Sequence, residues 1–196
     1  MDDVDPAPAR GLLSAEELAR ADGIGSPELR RRFLARRWMR RELLREAPQG
    51  VWWSASSSGG LAAVALSPWR VGIDVERRRE RRRWEGIARR RYTADEQRAV
   101  AGSVDRFLEF WTFKEAYLKA LGLGLAGGLD SLQCTGLCRS SGDWMESAGH
   151  PGWRFRQLQP EPGFVAALAV EGAPERIEVR RWVPSAGAAS AGRADT

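Results

Sequence analysis

With 196 residues, 43% of them apolar and nine of them tryptophan, the chain is long enough to bury a core, and its composition excludes a disordered polymer. A formal charge of +5 favours anionic partners without naming one, and the arginine-rich, lysine-poor composition fits nucleotide bias as well as any partner. No apolar run approaches a membrane span and the start, MDDVDPAPARG, is acidic where a signal peptide is basic, so the expectation is a cytoplasmic protein with no membrane partner.

In chain order, residues 1–11 are rich in Pro and Asp and read as a loose N-terminus. LLSAEELARADG predicts a short helix with Ser14 as N-cap and Glu17 as its capping-box partner. ELRRRFLARRWMRRELLREA is the strongest helical pattern, with Phe33, Trp38 and Leu44 on its apolar side and arginines over the rest. After the turn Pro48-Gln49-Gly50 come three predicted strands, VWWSASSSGG, LAAVALS and RVGIDVE, the last two joined at Ser67-Pro68. WEGIARRRYTADEQRAVAG and SVDRFLEFWTFKEAYLKALG read as helices, and Gly122, Gly124, Gly127 and Gly128 end the second and open a loop. SLQCTGL, GWRFRQLQP, GFVAALAV and ERIEVRRWV alternate apolar runs with turns, as an antiparallel sheet does. Residues 184–196 are low-complexity and read as a disordered tail. Cys134 and Cys138 read as free thiols and the single histidine, His150, as a surface loop residue, since a zinc site needs four paired ligands.

On a strand, alternate residues share a face, so Val71, Ile73 and Val75 point to the core and Asp74 and Glu76 stand together on the other side. Two carboxylates so spaced either ligate one hard cation such as magnesium or are ordinary solvated acids. In FWTFKEAYLKALG, Glu115 and Lys119 share a helical face and Lys114 is adjacent. Alone these residues make a surface ion pair; beside Asp74 and Glu76 they also form the set that a magnesium-bound pyrophosphate requires. The arginines from Arg77 to Arg83 raise a nucleic-acid reading, but Glu76, Glu80 and Glu85 interrupt them and no stacking platforms are evident. They read as a charged, self-paired exit from the strand.

VGIDVE followed by FWTFKEAYLKALGLGL resembles the paired signature of the 4′-phosphopantetheinyl transferase superfamily, G-[IV]-D-[IV]-E and W-x-x-K-E-A-x-x-K. IARRRYTADE is similar to the segment ending F-[ST]-x-x-E, RRFLARRWMRRELL to the N-terminal R-F-x-x-x-R-x-x-x-R helix, and GFVAALAV to a late strand. The resemblance runs from about Arg31 to Val170 and points to the larger, monomeric surfactin-type class. It implies an α+β fold of two similar α/β lobes forming a pseudo-dimer, with coenzyme A and magnesium in the cleft. The lobes would span residues 12–66, shortened, and 67–183, with the metal site in the second. The implied activity moves the phosphopantetheine arm of coenzyme A onto a serine of an acyl or peptidyl carrier protein, as in polyketide or nonribosomal peptide biosynthesis.

By the same resemblance Asp74, Glu76 and Glu115 hold magnesium, and Glu115 is the candidate base. Lys114 and Lys119 contact the phosphates, Arg37 lies near the adenosine end, and Ser56 and Ser57 line the coenzyme site. Two features depart from the pattern. The family carries S-H-S before the G-[IV]-D strand, and Ser57 stands where its phosphate-contacting histidine is expected. Only Arg45 to Val51 separate the arginine helix from Trp52, a shorter connection than the family's. Both departures support an alternative, a degenerate homologue that binds carrier protein or coenzyme A without efficient transfer.

Overall fold

The computed structural model describes residues 11, 13–78, 84–124, 128–139 and 143–182. The expectations for the N-terminal ten residues, for most of the arginine run and for the tail lie outside the described residues. The chain divides into two compact units, one running to Ala47 and including the segment from Ile177, the other Pro48–Arg176.

The first unit is built on two helices, α1 (Ala15–Asp22) and α2 (Pro27–Arg45). Ser14 and Glu17 form the expected reciprocal capping box at α1, and Ser26 caps α2 ahead of Pro27 at its first turn. Phe33 and Leu34 of α2 pack with Leu13 and Ala21, while Leu44 is only half-buried. Residues 172–182 form no strand; Trp182 instead meets Trp38 edge to face at 5.6 Å, so ERIEVRRWV departs from its predicted conformation.

The second unit holds a hairpin, β1 (Trp52–Ser58) and β2 (Leu61–Ser67), and an antiparallel sheet. That sheet orders β3 (Val71–Arg77), β7 (Phe164–Glu171), β6 (Trp153–Leu158), β5 (Met145–Ser147) and β4 (Leu137–Arg139). Between β3 and β4 the chain forms α3 (Trp84–Arg91), α4 (Ala94–Val100) and α5 (Val104–Leu121). The predicted helix from Trp84 breaks into α3 and α4 because Thr93 leaves helical geometry to cap α4, with Glu96 as its capping-box partner. No described helix is long and apolar enough to cross a membrane.

β3 is an edge strand of its hydrogen-bonded sheet, yet its outward amides are satisfied. Ile73, Val75 and Arg77 donate their N–H groups to the hydroxyls of Ser54, Ser56 and Ser58 at 3.1, 3.3 and 3.1 Å. Alternate serines of β1 thus do for β3 what a neighbouring backbone would, and this is why the hairpin groups with β3, although the sequence reading set it in the N-terminal lobe. Both faces of β3 are buried, so the expectation of one core face needs correction: Val71, Ile73, Val75 and Asp74 are all at most 6% exposed.

The reason is Gly72. A Cβ built there would lie 1.9 Å from the carbonyl oxygen of Ala116 and 2.6 Å from the amide nitrogen of Ala120, both in α5. With no side chain at Gly72, and with Ala116, Ala120, Ala167 and Ala169 all buried, α5 lies close against the face that carries Asp74. A larger aromatic cluster seals its other side, where Tyr92 stacks on Phe107 at 5.4 Å and donates its hydroxyl to the Phe107 carbonyl at 3.0 Å.

A buried ion pair fixes α5 to α4. Lys114 and Glu96 side chains have no solvent exposure, with Nζ 2.8 Å from Oε1. Lys114 also donates to the carbonyls of Leu129 (2.6 Å) and Leu132, and Glu96 accepts the amide of Cys134 at 2.7 Å. Every charge in the cluster is compensated, the condition under which a buried pair is tolerated. Two stability measurements follow. Gly72→Ala must push α5 off the sheet and is expected to cost about 3 kcal/mol or more in chemical denaturation. Lys114→Met, which strands Glu96, is expected to cost about 3–5 kcal/mol, and the double variant Lys114→Met/Glu96→Gln should recover part of that loss.

Candidate functional site

The close approach of α5 sets Lys119, four residues after Glu115, above the acid face of β3. Lys119 Nζ lies 2.7 Å from Asp74 Oδ1 and 2.8 Å from Ser56 Oγ, and Ser56 donates its hydroxyl to the same Asp74 oxygen at 2.8 Å. The Ser56 hydroxyl therefore accepts from Lys119 and Val75 and donates to Asp74, which uses its full hydrogen-bonding capacity. One step along, Ser58 donates to Glu76 Oε2 at 2.7 Å while accepting the amide of Arg77.

Burial pushes the Asp74 carboxyl above its usual range, and the pull of Lys119 and of Ser56 offsets only part of that. Asp74 Oδ2 is buried and takes no hydrogen bond from the protein. Lys119 keeps 28% of its side chain exposed against 7% for Asp74, so the ammonium sits at the solvent end of the pair.

The structure thus brings Asp74, Ser56 and Lys119 into direct contact and sets Glu76 two residues along the same strand face. Glu115 occupies the preceding turn of α5, half-buried, with its Oε1 atom inaccessible to solvent. Among the described residues, however, no group of three or more His, Cys, Asp or Glu is assembled as a metal cluster. Lys114 is not at this site. All three of its N–H donors are directed to Glu96, Leu129 and Leu132 inside the core, which leaves none for a phosphate. Ser57 projects from the face of β1 opposite Ser56 and Ser58 and pairs with Ala62 across the hairpin.

Arg37 belongs to the first unit. Its guanidinium stacks 5.1 Å over Phe33 and lies 3.6 Å from Glu17, which also gathers Arg40 and Arg41. Glu17 combines this charge role with its capping role, and its double use was not apparent from the α1 pattern alone. His150 also differs from the surface reading: it is half-buried, 3.0 Å from the Tyr117 hydroxyl through Nδ1, and contacts no carboxylate cluster. Cys134 and Cys138 are both free thiols, as expected. The residues missed from the sequence are Ser54 and Ser58; the signal was present in the alternating S-x-S-x-S of β1, which has the period of a strand.

The profile of the 4′-phosphopantetheinyl transferase superfamily matches residues 70–169, the segment from β3 into β7. The chain is 32% identical over 191 residues to the 4′-phosphopantetheinyl transferase HetI of Nostoc sp., covering 82% of this chain and 79% of that protein. It is 28% identical over 153 residues to slr0495 of Synechocystis sp., a protein provisionally assigned the same activity, covering 63% of this chain and 62% of the relative. The matched segment contains the β3 acids and the α5 lysine, and together these place the chain in the 4′-phosphopantetheinyl transferase superfamily.

Proposed function

We propose that this chain transfers the 4′-phosphopantetheine arm of coenzyme A onto a serine hydroxyl of an acyl or peptidyl carrier protein, in a magnesium-dependent reaction. The observation that carries the reading is the contact of Lys119 with Asp74 and Ser56, in which a buried carboxylate oxygen and a partly exposed ammonium lie side by side. Family membership supports the transfer chemistry itself.

The residues fit magnesium. Their donors are all hard oxygens, and the buried Oδ2 of Asp74 lacks the hydrogen bond that a buried carboxylate oxygen ordinarily takes. Magnesium takes one or two carboxylates and completes its shell with phosphate oxygens and water, so a three-carboxylate cluster is not required. Asp74 and Glu76 would hold it, with Glu115 the third candidate ligand; when bound, it would neutralise charge on the pyrophosphate.

The remaining work falls to the chain's own side chains. Lys119 directs two of its three N–H donors to Ser56 and Asp74, and the third suits a phosphate oxygen. The carrier serine oxygen bonds to the phosphorus bearing the pantetheine arm. The bond from that phosphorus to the bridging pyrophosphate oxygen breaks, and 3′,5′-ADP leaves with the electron pair. The serine proton passes to Glu115, directly or through water. Rate comes from positioning the hydroxyl and from charges fixed in advance of the reaction. Carrier proteins are acidic, which gives the arginine surplus a use in docking them.

A second reading, a binding protein without efficient transfer, is favoured by Ser57, since a serine carries no charge toward a phosphate, and by the short connection from α2 to Trp52. Mass spectrometry of apo carrier proteins incubated with coenzyme A, magnesium and this protein separates the two. The expected result is a phosphopantetheine adduct that is lost on chelation and reduced about 100-fold or more by Glu115→Gln. No adduct on any of several carriers, with coenzyme A binding retained in calorimetry, would establish the second reading. Lys119→Met should raise the KM for coenzyme A and lower kcat together. Ser57→His should lower that KM and leave the Asp74 contacts intact, because position 57 faces away from them.

A further inference from the structure

We propose that Ser58 is a positioning residue for the carboxylate pair, fixing the direction in which Glu76, alongside Asp74, meets a divalent cation. This rests on the magnesium reading above. The geometry is a repeat. Ser56 accepts the amide of Val75 and donates to the carboxylate of Asp74, the residue just before it; Ser58 accepts the amide of Arg77 and donates to the carboxylate of Glu76, again the residue just before. The period is two residues on both strands, so the two acids are gripped in the same way from the same side. An amide anchored in β3 holds each hydroxyl, and each hydroxyl holds one carboxylate oxygen at 2.7–2.8 Å. A carboxylate held by one oxygen presents its other oxygen in a defined direction, which is how outer groups tune a metal site.

Ser54 separates this role from simple support of the strand. It accepts the amide of Ile73 at 3.1 Å in the same ladder, but the preceding β3 residue is Gly72, which has no carboxylate to hold. Ser58 is also a cleaner case than Ser56, whose hydroxyl is shared with Lys119.

The test uses the full chain with coenzyme A and Mn²⁺ as the probe, free Mn²⁺ being read by electron paramagnetic resonance. Melting temperatures are measured without metal. Asp74→Asn and Glu76→Gln are expected to abolish the tight site. Ser58→Ala is expected to weaken Mn²⁺ binding about tenfold or more, in the range for loss of an outer hydrogen bond, and Ser58→Thr to restore most of it. Ser54→Ala should lower the melting temperature about as much as Ser58→Ala and leave Mn²⁺ affinity unchanged. Ser58→Cys, similar in size but a weak donor, replaces the alanine variant if that one fails to fold, with the same expected loss. Wild-type affinity in Ser58→Ala while the acid variants lose theirs overturns the inference, as does an equal loss in Ser54→Ala. Mn²⁺ binding that ignores both acid variants overturns the metal reading and this inference with it.

Discussion

The absence of a side chain at Gly72 governs the second unit. The backbone of α5 at Ala116 and Ala120 occupies the volume where a Cβ would stand, so helix and strand meet at a distance that no other residue permits. Three consequences follow from that contact. The acid face of β3 becomes an interior face. Lys119, beside Ala120, comes within hydrogen-bonding distance of Asp74. Asp74 is desolvated, which raises the cost of its charge and makes a cation its natural partner.

The same crowding explains the serines. A strand buried on both faces and lying at the edge of its sheet has amides that water cannot serve, and a buried unpaired amide is costly. Hydroxyls at alternate positions of β1 accept them without a backbone ladder. Two of these hydroxyls also have a proton to donate, and the β3 carboxylates receive it. Support of the strand and organisation of the acids are therefore one hydrogen-bond system.

The buried Lys114–Glu96 pair plays a different part from the exposed-end Lys119–Asp74 pair, although both lysines lie on α5 within one motif. Adjacent residues of a helix point about 100° apart, and positions five apart fall on different sides. Lys114 turns toward α4 and the carbonyls near Cys134, while Lys119 turns toward β3. The segment YTADE is tied to the first of these, since Glu96 both caps α4 and neutralises Lys114. Its place is in the framework that holds α5 at the correct height.

Much of the fold was legible in the letters, because the capping box at Ser14, the apolar period of α5 and the strand pattern of β3 are local signals, whereas the box at Thr93 that divides α3 from α4 reads as continuous helix. The family resemblance also set Asp74 and Lys119 at one site, but their direct contact was not legible, because the letters offered Glu115, four residues before Lys119, as its ion-pair partner. The fate of Lys114 was not legible: in one dimension it neighbours Glu115 as closely as any site residue, and only helix rotation and the packing of α4 send it into the core. Nor was the bond from Ser58 to Glu76, since the alternation of Ser54, Ser56 and Ser58 sets them on one face without saying which strand that face will meet. The amino-acid sequence alone determined which charges this protein carries and the elements on which they ride. Tertiary structure decided which of those charges are consumed in the core and which remain at the site, because hydrogen-bond partners from distant segments are chosen by packing and burial.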